Sequence, residues 1–153
     1  MENKHNTTIF IKDEVTEFSL YNNSDLIQQI YLKIGYKQIA EKYFKSFLTN
    51  ESEIEYSINV IENEIMNNKE LNNFNNILFS NDIKIKDIIY SFNNESILTI
   101  QNIESIFTEC TKLVMSNPRL IKNEFSEHEN YAIILILREI MHHLNFENLI
   151  LIQ

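Results

Sequence analysis

Glycine and proline each occur once in the 153 residues, as Gly35 and Pro118. Phosphate-cradling loops, tight hairpins and backbone nests draw on residues that tolerate positive φ, so this chain has little glycine with which to build them. Helices need it least, and apolar residues recur at helical spacing from Ser24 to the last residue. The expected fold class is all-α, a compact single-domain bundle of about seven helices. Function is then expected on the outer faces of that bundle. A chain of this length buries about 70% of its unfolded surface around one core, so no second domain is implied.

Hydrophobic residues make up 44% of the chain and charged ones 23%, an ordinary globular balance. Asparagine and isoleucine are overused and alanine and arginine are scarce, a skew towards AT-rich codons. With 13 Lys plus Arg against 22 Asp plus Glu the formal charge is −9, which repels nucleic-acid backbones and anionic membrane surfaces. The single cysteine, Cys110, cannot form an internal disulfide and reads as a small buried hydrophobe in a reducing compartment. The run Ile9-Phe10-Ile11 is too short for a signal peptide. The apolar run from Tyr131 to Leu137 is broken by Arg138-Glu139 and His142-His143, so membrane insertion is not expected. These features together imply a cytosolic protein.

Residues 1–22 read as an N-terminal arm, extended or in part docked, ahead of a helical domain over 23–153. Ser24 and Asp25 form an N-cap pair before Leu26, Ile27, Ile30, Tyr31 and Ile34, with Gly35 ending or kinking that helix. A second helix is expected over Tyr36–Leu48 and a third along Ile54, Ile58, Ile61 and Ile65. A short fourth carries Leu71, Phe74, Ile77 and Leu78, and a segment capped by Asp82 follows. The cleanest period runs from Ile97 to Met115 and predicts a helix central to the core. Pro118 ends it, and the most apolar helix then spans Glu129–Leu144. Short isoleucine-rich runs at Ile9–Ile11 and Leu149–Ile152 remain compatible with strands.

Little in the chain reads as chemistry. Adjacent His142 and His143 on a helix point about 100° apart, and no His-x-x-x-His or Cys-x-x-Cys spacing occurs, so neither a metal nor a cofactor is expected. Cys110 lies on an apolar face where desolvation keeps a thiol inert. Acidic neighbours such as Glu62 and Glu64, or Glu51 and Glu53, read as surface charge, and the protein is not expected to be an enzyme. On the last long helix, Ile133, Ile134, Leu137, Ile140, Met141 and Leu144 share one arc. Tyr131, Leu135, Arg138 and His142 cluster opposite it, an aromatic, an aliphatic and a cation mixed as at partner or dimer interfaces.

The block Glu129-Asn130-Tyr131-Ala132-Ile133-Ile134-Leu135-Ile136-Leu137-Arg138-Glu139-Ile140-Met141, with Leu144-Asn145-Phe146-Glu147-Asn148-Leu149-Ile150 after it, resembles the ending of the poxvirus Bcl-2-like immune modulators. Weaker likeness extends through Ala40–Leu48 and the Ile97–Val114 helix. The Asn-Trp-Gly-Arg signature of cellular Bcl-2 relatives is missing, and the chain has no tryptophan. The resemblance implies an inhibitor of innate immune signalling towards NF-kappaB in the host cell cytoplasm. It would act by binding host signalling proteins and dimerise through its first and penultimate helices, the latter carrying Tyr131, Leu135, Arg138 and His142. An apoptosis inhibitor that holds pro-apoptotic helices in a groove, and a self-assembling structural protein, are the alternatives.

Overall fold

From His5 to Leu32 the chain forms three extended strands and no helix. In a computed structural model, which describes residues 5–71, 74–116 and 127–153, Thr7, Ile9 and Ile11 turn inward from strand β1 (His5–Ile11), and Thr8 and Phe10 face the other way. Thr16 and Phe18 do the same in β2 (Thr16–Asn22), and Ile30 and Leu32 in β3 (Asp25–Leu32). The β2–β3 hairpin turns on Asn23 and Ser24, with Asn23 at φ 58°. Asparagine thus supplies the positive angle for which glycine is usually needed.

Residues 5–22 therefore hold β1 and β2, both interior strands of a sheet, within the span 1–22 expected as an arm. The expected first helix is β3, in which Leu26, Ile27 and Tyr31 stand half-exposed. The sheet has six strands in the order β3-β2-β1-β4-β6-β5. Strands β4 (Ile77–Ser80) and β6 (Asn148–Leu151) extend it in parallel with β1, while β2, β3 and the short edge strand β5 (Ile97–Thr99) pair antiparallel to their neighbours. The all-α bundle of about seven helices is overturned by this mixed α/β architecture.

Five α-helices are present among the described residues: α1 (Tyr36–Tyr43), α2 (Glu51–Asn67), α3 (Ile83–Tyr90), α4 (Ile100–Ser116) and α5 (Glu127–His143). None is long and apolar enough to cross a membrane. Helix α5 is the hub, packed against each of the other four, and every side chain from Tyr131 to Leu137 is at most 1% exposed. An apolar run buried on all sides is what a helix at the centre of a layer needs. It takes the central position that the sequence pattern gave to the Ile97–Met115 segment.

Candidate functional site

The β1–β2 turn and the start of α1 are built against each other. Lys12 N–H donates to the Val15 carbonyl at 2.8 Å to close the turn. The Lys12 carbonyl accepts from Tyr36 N–H at 3.1 Å, and the Asp13 carbonyl accepts from both Lys37 and Gln38 N–H at 3.1 Å. The free amides of the first helical turn are thus capped by the neighbouring turn's carbonyls. Tyr36 Oη–H donates to Asp13 Oδ1 at 2.6 Å, and burial followed by this carboxylate bond raises the phenol's pKa. Below them Asp82, 4% exposed, accepts from Ile11 N–H at 3.0 Å and from Lys84 N–H at 2.9 Å. It ties the end of β1 to the start of α3.

Around this junction lies an open hollow of about 930 Å³. Lys12, Lys37, Lys42 and Lys84 rim it, against the carboxylates of Asp13, Glu14 and Glu41. In a chain of net charge −9, four of the 13 cationic side chains gather here. Lys84 Nζ sits 5.3 Å from the Tyr36 ring centre, and Lys12 Nζ donates to Glu17 Oε2 at 2.7 Å, a bond that raises the lysine's pKa against slight desolvation. The amides at the start of α1 are occupied, so an anion entering the hollow would meet lysine side chains first.

Two likenesses to solved structures concern the fold of this chain. No family model and no curated protein matches the sequence. The structure, in contrast, superposes on a solved structure of the Aquifex aeolicus PPX-GPPA enzyme at 17% identity and TM-score 0.77, covering 98% of this chain and 54% of that one.

 The second is an exopolyphosphatase from Cytophaga hutchinsonii, at 12% identity and TM-score 0.76, covering 99% of this chain and 54% of that one. The fold resembles one half of the Ppx/GppA phosphatases. This chain spans about half the length of these structures. The likeness overturns the poxvirus Bcl-2-like resemblance. With it go the reading as a non-enzymatic inhibitor of NF-kappaB signalling and the two alternatives, apoptosis inhibition and structural self-assembly.

The residues grouped as a partner or dimer surface sit elsewhere than on a patch. Tyr131 and Leu135 are 0% exposed. The Tyr131 ring lies 5.7 Å from Phe107 and 5.4 Å from Phe44, its hydroxyl bonds Thr111 Oγ1 at 2.9 Å, and burial raises its pKa. Arg138 donates to both oxygens of Glu104 on α4, at 2.9 and 3.1 Å, and stands over the Phe107 ring. Burial works against the Arg138 charge, but the bonds and charges of Glu104 and Glu139 outweigh it and raise its pKa. His142 alone of the four is exposed. Tyr131 and Arg138 thus pack on α4 of this same chain, and Leu135 is buried.

Sequence reasoning missed two groupings. The lysines of the hollow come from the β1–β2 turn, α1 and α3, and no spacing along the chain joins Lys12 to Lys84. Glu62, read as surface charge, meets Glu139 and His143, whose i,i+4 relation on α5 was the one available signal. Cys110 is 1% exposed, and its thiol is pushed up to about 12 by burial, with a further push from the Glu109 charge.

Proposed function

We propose that this chain is a phosphate-chain-binding lobe of a phosphatase, and that it takes hold of its substrate at the lysine-rimmed hollow. The observation that carries the reading is the hollow itself. Four lysines from three separate elements converge at the carboxyl end of β1, in a fold similar to half of an exopolyphosphatase. Lys37 and Lys42 are exposed on successive turns of α1, where ammonium groups can follow a row of phosphates as point charges. Glu14 and Glu41 on the same rim are the groups chemically able to accept a proton from an attacking water. A linear polyphosphate is the substrate class that suits an open, cation-lined hollow better than an enclosed pocket would.

Calorimetric titration with inorganic polyphosphate at low salt, alongside a phosphate-release assay with Mg2+, tests this. Saturable binding is expected to weaken as salt rises, and Lys37→Glu with Lys42→Glu should lower the affinity about tenfold or more. Absent binding, or binding that the double variant leaves unchanged, overturns the reading.

A further inference from the structure

A second cluster lies at the far end of α5. Glu129 near the start of that helix bears on Tyr36 at the hollow, and His143 is its last residue, about 21 Å further along at 1.5 Å per residue. There His143 Nε2 stands 3.2 Å from Glu62 Oε1 on α2 and 3.2 Å from Glu139 Oε2 on α5. The three ligand atoms all lie within 4.8 Å of one another.

We propose that Glu62, Glu139 and His143 bind a divalent transition-metal ion, of which Zn2+ is the representative, and that the ion clamps α2 to α5. Two of the three separations suit this. Ligands about 2.0 to 2.1 Å from a tetrahedral zinc stand about 3.3 Å apart, close to both separations from the imidazole nitrogen. A single N–H, by contrast, can point well at only one of two carboxylates.

Glu139 is 2% exposed, and its other oxygen, Oε1, accepts from Arg138 at 2.6 Å. Arg138 is itself fixed by the two bonds to Glu104, so Glu139 is oriented from behind with Oε2 left towards His143, the arrangement that outer partners give a metal ligand. The last turn of α5 adds the negative end of a helix dipole, which favours a cation independently of the carboxylates. Imidazole with two carboxylate oxygens suits zinc or cobalt better than magnesium or calcium, and water would take the fourth position. Its distance from the hollow makes this a structural site.

The test uses the whole chain, stripped with chelator and titrated with Zn2+ by calorimetry, with thermal unfolding followed in parallel. One equivalent is expected to bind with micromolar or tighter affinity and to raise the Tm by several degrees. Glu62→Gln and His143→Gln should each abolish both effects, and His142→Gln should retain them. Glu62 has a side chain 34% exposed, so its replacement leaves a folded protein in which the loss can be read. With Co2+ in place of Zn2+, the visible absorption of a tetrahedral ion should appear and should vanish in the same two variants. No stoichiometric heat, or heat that survives in His143→Gln, overturns the proposal. Polyphosphate takes no part in these measurements, so their failure leaves the reading of the hollow untouched.

Discussion

Gly35 is demanded by what stands next to it. Its backbone is extended, at φ −136° and ψ 158°, which any residue adopts. A Cβ there would lie 2.3 Å from the carbonyl carbon and oxygen of Asp13 and from the nitrogen of Glu14, all backbone atoms of the β1–β2 turn. Gly35→Ala is therefore expected to push the turn off α1 and to cost roughly 1–3 kcal/mol, as overpacking does. Urea denaturation measures it, and a variant within about 0.5 kcal/mol of wild type would show that the turn gives way freely. The sequence displayed Gly35 as a helix end, which is a local reading. Its close approach to Asp13 is a contact between residues 22 positions apart, and no local pattern encodes that.

At the scale of elements, legibility tracked how much of each segment's pattern came from its own burial. Helices α2, α4 and α5 could be read to within a few residues because long runs of isoleucine kept a helical period. Strand β3 could not. Leu26, Ile27, Ile30, Tyr31 and Ile34 match helical spacing by coincidence, and only Ile30, Leu32 and Ile34 of that stretch turn inward. An edge strand tolerates apolar residues on its open side, which erases the alternation that would reveal it. Strand β4 is four residues long, below the length at which a period of two is distinguishable from part of a helix.

The start of α2 offers an element-level prediction. Asn50 Oδ1 accepts from Glu53 N–H at 3.0 Å, and Glu53 accepts in return from the backbone N–H groups of Asn50, Lys45 and Ser46. Burial works to raise the Glu53 pKa, but those backbone bonds outweigh it and hold the carboxyl below its usual 4.5. A depressed carboxylate stabilises the fold above the unfolded pKa and loses that contribution as pH falls through the lower folded value. Glu53→Ala is thus expected to cost about 1 kcal/mol at pH 7, with the gap to wild type closing below about pH 4.5. Thermal melts across that range measure it, and a gap independent of pH would mean that the carboxylate charge contributes nothing.

At the scale of the molecule, α5 decides what the candidate surface was. Arranged by period alone, its apolar residues fall into two arcs, and the second reads as a partner surface when one bundle core needs only the first. Helices α1 to α4 all pack against α5, and every side chain from Tyr131 to Leu137 is at most 1% exposed, so Tyr131 and Leu135 are covered by this chain itself. The period of α5 alone does not reveal this, because it gives the arcs of the helix and not the neighbours that cover them. The consequence is measurable. On a surface, Leu135→Arg would break an association and leave the fold intact. At a position 0% exposed it places an unpaired guanidinium among apolar side chains, at a cost of several kcal/mol against a total stability of about 5–15 kcal/mol. The variant is expected to lose its cooperative thermal transition and to aggregate, whereas His142→Arg on the exposed side keeps both fold and melting temperature. A folded Leu135→Arg protein with a wild-type circular dichroism spectrum would mean that α5 has an open side after all.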